Sequence, residues 1–169
     1  MKKLLIFMTM FAAAALLTVS CSKDDDDKDP AVVVKDLTST DWQGEVKELR
    51  KRSGGSWEDG SQTHWAVMRF RAEGTKALSG IGYQLEYRNE HTTAENKTDE
   101  SSFTWRIDGD KIRIIYNNRE WHSLYINYND ANINASVFTG EMIDNEDDRY
   151  KFLFNFSKTT FSELDHYNF

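Results

Sequence analysis

From residue 150 to 156 every second position is an aromatic ring. Tyr150, Phe152, Phe154 and Phe156 alternate with Lys151, Leu153 and Asn155. A period of two places the four rings on one face of an extended strand, whereas a helix would scatter them around its axis. The pattern recurs along the chain. Phe103, Trp105 and Ile107 oppose Ser102, Thr104 and Arg106, while Ile112, Ile114 and Tyr116 match Ala66, Met68 and Phe70 as apolar faces. Ile81, Tyr83, Leu85 and Tyr87 read as the core face of a further strand, with Gly80 and Gly82 on its polar parity as a bulge or sharp bend.

Eight runs of this kind span residues 42–49, 64–71, 78–88, 102–107, 111–117, 121–128, 133–139 and 150–156. Turn-forming residues separate them. Arg52-Ser53-Gly54-Gly55-Ser56 opens a long first loop, Glu73-Gly74 makes a short one, and Asn117-Asn118 and Asn129-Asp130 follow. Asp108-Gly109 is a two-residue hairpin signal, because both residues tolerate the positive φ of a type I′ turn. The segment 89–100 is polar apart from Ala94 and predicts a mobile loop. Eight two-faced strands with short connections predict an all-β, antiparallel, up-and-down eight-stranded barrel, whose closure removes exposed edges. A two-sheet β-sandwich satisfies the same alternation.

The N-terminus speaks of destination. Lys2 and Lys3 precede 16 residues, Leu4 to Val19, that are apolar except for Thr9 and Thr18. That is short of the ~18 apolar residues that argue for a permanent span, and it has the order of a signal peptide. Cys21, the only cysteine, follows the small Ser20. The expectation is removal of residues 1–20 and acylation of Cys21, with two or more chains such as palmitate giving stable anchoring. A retained signal anchor with an ordinary thiol at Cys21 is the alternative. Ser22 to Pro30 contains five Asp, two Lys and no apolar residue. Such a stretch repels itself and stays extended. The predicted organisation is a signal peptide at 1–20, an acylated flexible tether at 21–35, and one barrel domain at 36–169. Within that scheme residues 36–40 form at most a short turn of helix.

Charge and motifs exclude more than they establish. The net charge is −7, and −9 once Lys2 and Lys3 leave with the signal. An acidic domain argues against nucleic acid as a partner. The stretch Gly54-Gly55-Ser56-Trp57-Glu58 lacks the second glycine of a nucleophile elbow, and His64, His91, His122 and His166 show no zinc-site spacing. The acidic run at 141–148 lacks the glycine and spacing of a calcium loop and reads as a solvated hairpin. No cofactor, metal or catalytic residue is assigned, so the chain reads as a non-catalytic binder. A hydrolase would require the fold to bring His64 or His122 beside a carboxylate in a cleft.

Three segments carry resemblances. The cysteine followed by Lys23 and Asp24 to Asp27 resembles the surface-export signal of lipoproteins in Bacteroidota. Thr40-Asp41-Trp42-Gln43-Gly44 resembles the entry strand of lipocalins, with Trp42 closing the barrel floor, although the glycine two residues before the Trp is missing. Phe103 to Ile112 is similar to the central hairpin of lipocalin-like lipoproteins of that phylum. The resemblance implies an outer-membrane lipoprotein on the cell surface, or on the periplasmic face as the alternative. It also implies a cup for a small apolar or amphipathic molecule.

Rings near strand ends are the candidate contacts. Trp65, Tyr87, Trp105, Tyr116, Trp121 and Tyr125 are expected to stack on a sugar or grip a lipid at the barrel mouth. Trp105, with Phe152 and Phe154, equally fits a filled interior. The expected function is capture of a small hydrophobic or sugar-like ligand. The alternative is a protein-interaction module, a surface-complex subunit or inhibitor, acting through the loops at 51–63 and 89–101.

Overall fold

The computed structural model describes residues 27–167. Cys21 and the acidic residues up to Asp26 lie outside the described residues. A helix, α1 (Pro30–Leu37), leads into nine strands: β1 (Asp41–Lys51), β2 (Trp57–Ala72), β3 (Ser79–Tyr87), β4 (Lys97–Asp108), β5 (Lys111–Tyr116), β6 (Leu124–Asn127), β7 (Asn132–Ile133), β8 (Val137–Asp144) and β9 (Tyr150–Thr159). A 3-10 helix, Ser162–His166, follows. Strands β1 to β6 pair antiparallel in chain order, β8 pairs β9, and β9 returns to β1. Pairing of β6 with β8 closes the ring, and the two-residue β7 hangs from β8. Eight strands thus form a closed up-and-down barrel, consistent with the lipocalin-like architecture expected above, and the sandwich is excluded.

Several boundaries move. Residues 57–63, read as loop, extend β2 along β1, and residues 97–100 extend β4 along β3. The run 133–139 is two pieces. Asn134 breaks it by accepting the amides of Ser136 (2.9 Å) and Val137 (3.2 Å) on its side-chain oxygen. Glu141 to Asp144 belong to β8, so only the residues after Asp144 form the acidic turn.

The tether ends earlier than residue 35. Asp29 caps α1 by accepting the Ala31 amide at 2.8 Å, and Pro30 starts the helix where its missing N–H costs nothing. Val33, Val34 and Leu37 are buried against one end of the barrel, which α1 closes as a floor. Lys28 is clamped there too. Its ammonium donates to the carbonyls of Tyr128 (2.7 Å) and Ala131, and its backbone amide to the Asn129 side chain (3.0 Å).

The floor half of the barrel is solid. Trp42 is fully buried, donates its indole N–H to the Leu37 carbonyl at 2.8 Å, and meets Phe138 edge-on. Phe70, Phe103, Trp105, Phe154 and Phe156 complete this layer. At Gly44 a Cβ would lie 1.9 Å from the Asn155 carbonyl oxygen, so the absence of a side chain lets β1 and β9 close tightly around the rings.

The faces of β3 are the reverse of those expected. Gly80, Gly82, Gln84 and Glu86 share the lumen parity, and the ring of Phe103 occupies the space above Gly82, where a Cβ would come within 2.2 Å. Tyr83, Leu85 and Tyr87 point outward. They stay dry because the C-terminal segment covers them. Leu164 and Phe161 pack on Val67, Leu85 and Tyr87, and Tyr167 stacks on Tyr83 with ring centroids 3.9 Å apart. Alternation located the strand, but a second apolar cover outside the barrel inverted its sides.

Candidate functional site

Above the floor the barrel is open. A cavity of about 580 Å³ occupies the end opposite α1, within the range of small-molecule sites. Inward positions of successive strands line it: Val46 on β1, His64 on β2, Gln84 and Glu86 on β3, Tyr116 on β5, Leu124 on β6, Met142 and Asp144 on β8, and Phe152 on β9. Trp121 and His122 come from the loop between β5 and β6. That loop is shaped by Asn118, whose side chain accepts the Glu120 amide at 3.0 Å and whose own amide is held by Ser101 at 3.2 Å.

One polar ladder climbs the wall. The buried Tyr116 hydroxyl donates to Gln84 Oε1 at 2.6 Å, and Gln84 Nε2 donates to Glu86 Oε1 at 3.0 Å. Burial pushes the Tyr116 phenol well above its ordinary range, which keeps it a donor. His64 Nε2 lies 3.1 Å from the same Glu86 oxygen, off the line that a hydrogen bond requires. Across the cavity His122 Nδ1 meets Asp144 Oδ2 at 2.6 Å. Asp144 is itself fixed, because its other oxygen accepts the amides of Glu146 (2.7 Å) and Asp147 (3.0 Å) in the following turn. Trp121 stands edge-on to Tyr116 at 4.8 Å and donates its indole N–H to Asp99 at 2.9 Å.

Both histidines named in the sequence therefore stand beside carboxylates in a cleft. The cavity lining includes no Ser, Thr, Cys or Lys, and its hydroxyls are those of Tyr116 and Tyr150. Among the described residues no group of three His, Cys, Asp or Glu side chains is arranged to hold a metal ion.

The hydrogen bond to Asp144 raises the pKa of His122 above the ordinary 6.5, against the opposing effect of burial. A raised folded-state value means that the pair stabilises the fold fully below the unfolded pKa and loses that contribution as pH rises through the folded one. An NMR titration is expected to show the His122 imidazole titrating above 6.5 in the native protein. In Asp144→Asn it should fall back toward about 6.5. Equal values in the two proteins would remove the pair as the cause.

Of the six rings expected at the mouth, the cavity holds Tyr116 and Trp121. Trp105 is buried in the floor, with its indole N–H shared between the Arg71 and Ile81 carbonyls at 3.2 and 3.1 Å. Tyr87 lies outside the barrel beneath the 3-10 helix, where its hydroxyl donates to Glu163 at 3.1 Å. Trp65 packs in that same outer cluster. Tyr125 alternates with the inward-facing Leu124 and Ile126 and carries Lys111 over its ring at 4.6 Å. Gln84, Glu86, Asp99 and Asp144 were missed as site residues. Their sequence signal is polar identity on a lumen parity, legible for Gln84 and Glu86 once the faces of β3 are assigned correctly and for Asp99 and Asp144 once β4 and β8 are extended to include them. No protein-family model and no curated protein matches this chain.

Proposed function

We propose that the chain is a lipid-anchored, surface-displayed lipoprotein of the lipocalin-like kind that captures a small amphipathic molecule in the open half of its barrel, without chemistry. The observation that carries this reading is the division of the barrel interior. One half is packed solid with rings, and the other is a cavity of about 580 Å³ lined by both apolar faces and ordered polar groups. A barrel serving only as scaffold would fill both halves. The N-terminal segment supports the placement. It enters beside the floor, where Lys28 is clamped, so the tether joins the barrel at the end opposite the mouth.

Native mass spectrometry of protein purified from its own host should show a bound small molecule, and its addition to stripped protein should quench tryptophan emission. Trp121→Phe should lose that response, because the other four indoles lie in the floor or on the outside. Cys21→Ala should release the protein from membranes. No added mass and no quenching would overturn capture, and unchanged fractionation would overturn acylation. Co-purification with a protein, lost when the mouth loops at 52–56 or 88–96 are shortened, would favour the interaction module instead.

A further inference from the structure

We infer that the ligand of this cavity carries a positive charge, as an ammonium or a comparable cation, on an apolar body. This rests on the capture reading above. Glu86, Asp99, Glu120, Asp144 and Asp147 all line the cavity, and no lysine or arginine does. What answers these carboxylates inside the cup is neutral or weakly basic. Glu86 faces an amide and an imidazole, Asp99 an indole N–H, and Asp144 an imidazole and two backbone amides. Amide and indole donors orient a carboxylate without cancelling its charge, and His122 offsets Asp144 only while its imidazole is protonated. Only at the rim does a guanidinium intervene, where Arg149 pairs with Asp147.

The deepest carboxylates are fixed in place, whereas Asp99 and Glu120 stand exposed at the rim. The Asp144 side chain is only 4% exposed, and Gln84, which positions Glu86, is also buried. Carboxylates that converge on one cavity repel one another, and a cation among them relieves that repulsion. The aromatic part of the wall suits the same guest. Trp121 and Tyr116 meet edge to face at 67° in the wall that Phe152 also lines, and the faces of such rings attract ammonium groups, most of all where water is excluded. An anionic amphiphile such as a fatty acid would bring like charge against Glu86 and Asp99. The apolar patch formed by Val46, Leu124 and Met142 accommodates the remainder of the molecule.

Three probes with the same tail separate this inference from the reading beneath it: octyltrimethylammonium, octyl glucoside and octanoate. Each is titrated calorimetrically into the full-length chain carrying Cys21→Ala, so that no acyl chain competes. The cation is expected to bind at least about tenfold more tightly than octanoate, with an affinity that falls as salt is added. Glu86→Gln and the rim substitution Glu120→Gln should each weaken the cation several-fold and leave octyl glucoside unchanged. Two substitutions at different depths guard against one of them disturbing the fold. Equal binding of all three probes, or a preference for octanoate or the glucoside, would overturn the charge assignment and leave capture standing. Failure of all three to bind would overturn both.

Discussion

Replacing Trp42 with alanine lowers the unfolding free energy by about 3–5 kcal/mol, the range for removing a fully buried aromatic side chain. Trp42 has no exposed surface, and its ring is the keystone between the floor helix and the barrel. Three losses coincide. The apolar area of the indole leaves the core, the edge contact with Phe138 disappears, and the Leu37 carbonyl loses its donor. Trp42→Phe separates them. It keeps most of the area and forfeits the hydrogen bond, so its cost should be smaller, about 1–3 kcal/mol. Urea titration reads both, with a lower midpoint at an unchanged slope. A Trp42→Ala midpoint close to that of the native protein would mean that the floor does not depend on this ring.

Arg69→Ala is the second large loss, also about 3–5 kcal/mol, because it leaves one member of a buried pair unanswered. Arg69 on β2 stands opposite Asp41 on β1, and the two side chains are only 11% and 6% exposed. The guanidinium reaches both Asp41 oxygens, at 2.5 and 2.8 Å, and also Asp165 at 2.7 Å and the Phe161 carbonyl at 3.2 Å. Asp41 in turn accepts the Phe161 amide at 2.8 Å. The hydrogen bond from Arg69 to Asp41 is the main reason the pKa of Arg69 is pushed still higher than its ordinary value, and the charge persists at any working pH. Without it Asp41 is buried as an uncompensated anion, and the segment covering Val67, Leu85 and Tyr87 loses its bonds from Arg69 to Asp165 and to the Phe161 carbonyl. Denaturation and limited proteolysis together test this. Arg69→Ala should melt earlier and be clipped near its C-terminus, whereas Asp41→Leu with Arg69→Leu should recover much of the stability. A double variant no better than the single one would show that the ion pair itself, rather than the orphaned charge, carries the effect.

What the sequence made legible follows from where side chains find their cover. In β9 and β4 the lumen is the only apolar environment, so alternation identified both strand and face. In β3 two environments compete. The outer face is covered by Phe161, Leu164 and Tyr167, residues far away in the chain and without strand rhythm, and local reading assigned Tyr83, Leu85 and Tyr87 to the wrong side. The site suffered from the same error, since Gln84 and Glu86 become lumen residues only when Gly82 on their parity is recognised as clearance for Phe103, and Gly80 as close approach to the Arg71 carbonyl, and not as a bulge. Rings near strand ends were a weak guide, because a strand end belongs to the floor as often as to the mouth. The pairing of His122 with Asp144 joins the loop before β6 to the last residue of β8, which neighbour each other only through barrel closure, and no spacing in the chain announces it.

That closure is uneven around the ring. Strand β9 meets β1 over ten register positions, while β6 meets β8 over only two, Leu124 with Asp144 and Tyr125 with Ile143. The brief seam lies beside the cavity, next to Trp121, His122 and Asp144. A wall with few ladder bonds opens at lower free energy than its neighbours. The cup is therefore built like a collar with one lightly fastened edge. Under thermal or chemical stress the rim yields at that edge before the ring-packed base does.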